Sequence, residues 1–155
     1  TNYDSTKATQ LEKTPYATAV FLWDHRQRQA RVSGPVTRTP AAESDEYFDS
    51  RPLISRIGAW ASRQSEPIES RDALMAQAMA TATRFGVDWP PERDADAPVP
   101  RPGFWGGYRL WAESVELWLG QGGRLHDRLK FTREIAPGRD GYEAASGWQR
   151  TRLQP

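Results

Sequence analysis

The chain has 155 residues, 26% of them charged and 37% hydrophobic, with a formal net charge of +1, which suits one globular domain with its own core and gives no electrostatic reason for nucleic acid or an anionic membrane as partner. No window approaches the roughly 18 apolar residues of a membrane span, and TNYDSTKATQ at the start has no signal-peptide core, so cytoplasm is the default by elimination. With no cysteine and only two histidines, His25 and His126, disulfides and thiolate chemistry are excluded and no metal is expected.

A chain that opens at Thr1 without methionine reads as a piece of a longer protein. STKATQLEK forms a short helix with Ser5 as its N-cap. PYATAVFLW (15–23) is β-branched and aromatic and RQARVSGPV (28–36) alternates; joined by DHRQ they make an antiparallel hairpin. TPAAESDEYFDS (39–50) is helical, with Thr39 as N-cap and Pro40 at the first helical position. Pro52 restarts the chain into RPLISRIGAWAS, and IESRDALMAQAMATATRF (68–85) is the longest helix candidate. VDWPPERDADAPVPRPG (87–103), with five prolines, is expected to run extended over the surface. FWGGYRLW, SVELWLG, HDRLKFTRE and GWQRTRL are strands, with APGRDGYEAAS as a long hairpin connection between the last two. Strands, then helices, then strands indicate α+β: an antiparallel sheet or barrel with helices packed to one side. That order names no function.

Three clusters could carry chemistry. If the segment after Gly123 is a strand, Arg124, His126 and Arg128 share one face, an electropositive strip suited to an anion. The residues alone favour a solvated strand edge with Asp127 and Glu116 as partners. Tyr47, Arg51 and Ser55 recur every four residues, so a helix, even one jogged at Pro52, could stack a phenol, a guanidinium and a hydroxyl for a phosphate group. The competing reading is a helix surface with Arg51 paired to Asp45 or Glu46. Gln64 and Ser65 end a small-residue apolar stretch and could bind a heterocycle's edge or cap a helix. Gln29, between Arg28 and Arg31, is a weaker signal. Lys7, in the first helical turn, could serve a phosphate or stand in solvent. Seven tryptophans either fill cores or stack on flat ligands. GxSxG, Walker A and HExxH motifs are absent from the sequence.

VELWLGQGGRLHDR, YFDSRPLISRIGAWASRQS, RPGFWGGYR and the terminal WQRTRLQP together resemble the pyridoxine (pyridoxamine) 5′-phosphate oxidase family of flavin enzymes, in order and over nearly the whole chain. The resemblance implies an antiparallel FMN-binding split β-barrel and a homodimer with cofactor sites shared across the interface. All 155 residues then read as a single domain, the C-terminal portion of such an oxidase, lacking its N-terminal strands. The implied reaction oxidises pyridoxamine or pyridoxine 5′-phosphate to pyridoxal 5′-phosphate, with O2 reduced to H2O2. By the same resemblance Thr1 and Lys7 fall at FMN-phosphate positions, and Gln29, Gln64, Ser65, Trp118 and Arg128 at other FMN contacts. Tyr47, Arg51 and Ser55 would hold the substrate phosphate; Arg124 and His126 would lie over the substrate ring as the catalytic pair. The family pattern has Arg where Thr6 stands, and Leu117 and Leu119 replace an aromatic and a polar residue. A related flavin oxidase of phenazine-type biosynthesis is the enzymatic alternative. A non-catalytic flavin-binding or dimerisation module is the other.

Overall fold

Ser5 shows how local chemistry sets the elements. Its hydroxyl accepts from the Ala8 N–H at 3.3 Å, satisfying a donor that the first helical turn leaves free, and helix α1 (Thr6–Lys13) follows as the sequence indicates. The computed structural model describes residues 1–92 and 95–155. They form two compact units: Thr1–Lys13 with Arg38–Tyr108, and Thr14–Thr37 with Arg109–Pro155.

The first unit is helical. Helix α2 (Ala41–Asp49) begins one residue later than the capping pattern suggests. Pro40 takes the cap position with an extended backbone, and the Thr39 hydroxyl pairs instead with the Ser44 hydroxyl at 2.8 Å. Pro52 separates α2 from α3 (Leu53–Ala61), because its ring disfavours helix at Arg51 and it has no N–H to give. Its carbonyl accepts from the N–H groups of Ser55 and Arg56 and so starts α3. Helix α4 (Arg71–Arg84) is capped by the Ser70 hydroxyl, which accepts from Ala73 N–H at 3.0 Å, and the chain leaves it through Gly86 at φ 68°. Leu53 and Ile57 on α3, Ala82 on α4 and Val99 form the core, with Trp60, Phe85, Val87 and Trp89 packed against it.

Val99 corrects the expectation for 87–103. That segment is extended, but Val99 and Pro102 are fully buried. Prolines lack the N–H that would need a buried partner, and the Val99 N–H donates to the Ala97 carbonyl at 2.8 Å. Trp60 Nε1 donates to the Pro100 carbonyl at 2.7 Å and Arg56 Nη1 to that of Ala97 at 3.1 Å. Residues 93 and 94 of this segment lie outside the described ones.

The second unit is built on an antiparallel sheet. Strands β1 (Tyr16–Trp23) and β2 (Arg28–Arg38) form the expected hairpin, turning through a short 3₁₀ segment at Asp24–Arg26. After β3 (Tyr108–Leu110) come β4 (Ser114–Leu119) and β5 (Asp127–Thr132). The connection expected as a long hairpin loop folds into a small hairpin of its own, β6 (Ile135–Gly138) and β7 (Gly141–Ala144), before β8 (Gln149–Leu153). The main sheet runs β1-β2-β4-β5-β8, with β3 on β2. Among the described residues no helix is long and apolar enough to cross a membrane.

Candidate functional site

In the helical unit, the break between α2 and α3 gathers an aromatic and cationic cluster. The Tyr47 ring lies nearly parallel to the Trp105 indole, 6.1 Å between centroids at 13°. The Arg51 guanidinium carbon sits 4.7 Å from the Trp105 ring centre and 5.6 Å from that of Phe48. Tyr47, Arg51 and Trp105 line a cavity of about 340 Å³ together with Thr1, Thr39, Ser44 and one carboxylate, Glu43. Arg51 Nη1 is buried there without a hydrogen-bond partner. The ion pair that the sequence allowed with Asp45 is not formed; Asp45 accepts instead from Arg101 Nε at 2.6 Å. A buried N–H donor left open costs stability unless a ligand supplies the acceptor.

Ser55 is not part of that cavity's lining. Four-residue spacing stacks side chains only along a continuous helix, and the helix is interrupted between Asp49 and Leu53. In the same unit Thr1 and Gln64 are brought together: Gln64 Oε1 accepts from the Thr1 hydroxyl at 3.0 Å and from the Asn2 N–H at 2.8 Å. Ser65 is exposed with φ 75°, and Lys7 is exposed on the first turn of α1.

In the sheet unit, Gln29, Trp118 and Arg128 are direct cross-strand partners on β2, β4 and β5, so their side chains share one face. Glu116, two residues along β4, is on that face too. Arg128 Nε and Nη2 donate to Glu116 Oε1 at 2.9 and 2.8 Å, and its Nη1 donates to the Gln154 carbonyl at 3.0 Å. His126 tilts against Trp118, 4.8 Å between centroids. Its Nδ1 accepts from the Gln121 N–H at 3.2 Å, which leaves the ring proton of the neutral imidazole on Nε2. Gln29, Trp118 and His126 line a cavity of about 400 Å³ with Gln27, Gly120 and Gln121.

The single-face strip of Arg124, His126 and Arg128 is not formed. Gly122–Arg124 is a 3₁₀ turn, and β5 starts only at Asp127. Gly123 and Arg124 have φ of 66° and 62°, a left-handed pair that no extended strand can contain. Arg124 is exposed beside this turn, while Asp127 pairs with Arg152. Among the described residues three non-glycine residues have positive φ: Gln27, Ser65 and Arg124. Such residues cost on the order of 1–3 kcal/mol each and cluster where a side chain must be aimed. Two of them are candidates read from the sequence and the third lines the cavity of Gln29.

Trp105 is the member of the helical cluster that the sequence did not single out by role. Its signal was the RPGFWGGYR stretch, an indole followed by two glycines.

Two family models match the chain: residues 1–84 match one described as pyridoxamine 5′-phosphate oxidase, and residues 105–155 one described as the pyridoxine 5′-phosphate oxidase C-terminal dimerisation region. A pyridoxine/pyridoxamine 5′-phosphate oxidase of Burkholderia cenocepacia (strain HI2424) is 48% identical over 155 residues, which is 100% of this chain and 64% of that protein. One of Burkholderia pseudomallei (strain 1106a) is 47% identical over the same shares. The chain therefore spans under two thirds of the length of these curated relatives. Among solved structures, PhzG from Burkholderia lata 383, in complex with tetrahydrophenazine-1-carboxylic acid, is similar at a TM-score of 0.79 and 28% identity, covering 100% of this chain and 66% of that one. A pyridoxamine 5′-phosphate oxidase-related, FMN-binding protein from Nostoc punctiforme PCC 73102, at a TM-score of 0.65 and 15% identity, covers 100% of this chain and 71% of that one and shares the fold.

Proposed function

The chain belongs to the pyridoxamine 5′-phosphate oxidase family, and on that premise we propose that it carries the substrate-gripping part of an FMN-dependent oxidase, acting on pyridoxamine or pyridoxine 5′-phosphate to give pyridoxal 5′-phosphate. The observation behind the phosphorylated substrate is Arg51: a guanidinium held against the Trp105 ring and lining a cavity that also presents Tyr47 and Thr1. A phosphate offers several strong acceptors to such a fork, and the donors are in place before it arrives.

Bound FMN would supply hydride acceptance from the substrate carbon and reoxidation by O2 to H2O2; with the amine substrate, water would then hydrolyse the imine and release ammonia. The residues of this chain orient and hold charge. Arg51 and Tyr47 fix the phosphate, with Ser55 as a further candidate on α3. His126 presents its Nε2 proton toward a ring acceptor, held in that tautomer by the Gln121 N–H and packed on Trp118. Arg124, aimed by its left-handed backbone, supplies a cation over the substrate ring. On the sheet face Gln29, Trp118 and Arg128 serve the flavin, which the amide, the flat indole and the carboxylate-anchored guanidinium all suit. In the helical unit Thr1, Lys7, Gln64 and Ser65 are the FMN candidates, and Thr6 gives no cation where the family pattern has Arg. A homodimer is part of the same reading, supported by the dimerisation-region match over 105–155.

A second reading has its own support in the likeness to PhzG: a flavin oxidase whose substrate carries a ring carboxylate rather than a phosphate. The full-length protein, loaded with FMN, is to be offered pyridoxamine 5′-phosphate, pyridoxamine and tetrahydrophenazine-1-carboxylic acid while peroxide is followed. The proposal expects turnover confined to the phosphorylated amine. Turnover of the tricyclic acid instead supports the second reading, and bound flavin with no turnover of any of the three supports a non-catalytic module.

A further inference from the structure

Arg51 raises a question that its own contacts do not answer: what keeps a cation in place when no carboxylate holds it? Its guanidinium rests against the indole of Trp105, 4.7 Å from the ring centre, with Phe48 at 5.6 Å. An aromatic face attracts a cation through its quadrupole but carries no net charge and takes none of the N–H donors at the guanidinium edge. A carboxylate in the same place would fill the fork and neutralise it.

Arg101 appears on both sides of this arrangement. Its Nε donates to Asp45 at 2.6 Å, occupying the α2 carboxylate that sequence proximity offers to Arg51. Its Nη1 donates to the main-chain carbonyl of Trp105, also at 2.6 Å, anchoring the loop that carries the indole. The two glycines after Trp105 fix that loop from the other end. A Cβ on Gly106 would stand 2.1 Å from the Tyr3 hydroxyl oxygen, and one on Gly107 would stand 2.7 Å from the Thr39 hydroxyl oxygen, so a side chain at either place would displace its neighbour. The parallel stack with Tyr47 then sets the phenol and the guanidinium about one indole.

We propose that Trp105 is a positioning residue for phosphate recognition: it holds the Arg51 guanidinium open toward an anionic oxygen, while Arg101 anchors the Trp105 loop and keeps Asp45 off Arg51. This rests on the assignment of Arg51 and Tyr47 to the substrate phosphate. It adds a cause for their availability, and it makes selectivity for phosphorylated over unphosphorylated ligand depend on two residues that need not touch the ligand.

The test uses the FMN-loaded full-length protein and two probes, pyridoxal 5′-phosphate and pyridoxal, with binding read from the flavin absorbance change, and FMN content and melting temperature followed in parallel. Trp105→Leu is expected to weaken pyridoxal 5′-phosphate by about tenfold or more with pyridoxal and FMN content unchanged, whereas Trp105→Phe, which keeps an aromatic face, stays within about threefold of wild type. In steady state the loss falls on KM for pyridoxamine 5′-phosphate and leaves kcat nearly unchanged. Arg101→Met frees Asp45 and is expected to weaken the phosphorylated probe similarly, and adding Asp45→Asn to it restores at least part of the loss. If Trp105→Leu folds poorly, the Phe variant and the Arg101/Asp45 pair still decide the matter. Full affinity in Trp105→Leu or Arg101→Met, alongside a loss in Arg51→Ala, overturns the positioning role and leaves the Arg51 assignment standing. Full affinity in Arg51→Ala removes that assignment and the positioning role with it.

Discussion

Arg51 in the helical unit and Arg128 in the sheet unit are both arginines that the sequence offers to an anion, and the structure treats them in opposite ways. Arg51 lies on aromatic rings with a buried donor open and with Asp45 drawn away by Arg101. Arg128 is tied twice to Glu116 and once to the Gln154 carbonyl. The first is a charge kept in reserve, the second a charge already balanced and used for its fixed position. Whether an arginine can grip a ligand depends less on its own neighbours in sequence than on what has claimed the nearby carboxylates.

Arg124 should show the largest effect, since it is exposed and its cost is carried by the backbone. Arg124→Ala is expected to lower kcat by roughly 10²-fold, the scale of losing one charge-stabilising donor, with FMN content retained. Arg124→Gly should lose the same activity yet gain up to about 1 kcal/mol in stability, because glycine adopts the left-handed backbone freely. Equal stability of the Ala and Gly variants would show that the turn stores no strain.

Balancing can be undone in the sheet. Glu116→Gln leaves Arg128 without its carboxylate but keeps the Gln154 carbonyl. If Arg128 faces the flavin, the flavin potential should rise on the order of 10–30 mV, up to a tenfold shift in a two-electron equilibrium. An unchanged potential would place that charge away from the flavin.

A third arginine sharpens the contrast from the stability side. Arg56 is buried and its two terminal nitrogens donate to Asp96 and to the Ala97 carbonyl, while its Nε, like Arg51 Nη1, is buried without a partner. Hydrogen bonding to Arg56, more than its charge alone, holds the Asp96 carboxyl below its ordinary value. A carboxylate lowered in the folded state contributes stability that is complete above its unfolded pKa of about 4 and is lost as pH falls through the folded value. Asp96→Asn should therefore lower the melting temperature at pH 7, by an amount that solvent screening of the exposed carboxylate keeps small. The gap from wild type should close as pH falls below the unfolded value and through the lowered folded one. A constant gap down to acid pH would show that the pair acts through packing alone.

What was legible in the sequence was what local chemistry decides. Ser5 as a cap, the hairpin of 15–36 and the long helix within 68–85 follow from capping, alternation and length. The order of strands and helices gave α+β with an antiparallel sheet. Short-range patterns failed where a distant partner intervened. Val99 is buried because α3 and α4 offer an apolar surface to a proline-rich stretch. The turn at Gly122–Gly123 was readable, but its extension into Arg124 broke the expected strand face. Tyr47, Arg51 and Ser55 share a face only if the helix tolerates Pro52, and the break between Asp49 and Leu53 leaves Ser55 out of the cavity lining. The Trp105–Arg51 contact joins residues 54 positions apart, and the Arg101–Asp45 pair residues 56 apart; neither has a local signature.

The most direct test of the central claim, that an unpaired Arg51 grips a phosphate, is the ratio of kcat/KM for pyridoxamine 5′-phosphate to that for pyridoxamine, measured in wild type and in Arg51→Ala at constant FMN occupancy. The ratio should fall by roughly 30–100-fold in the variant, the size of a lost charge-assisted hydrogen bond, and almost entirely through KM for the phosphorylated substrate. A ratio unchanged by the substitution would contradict the account.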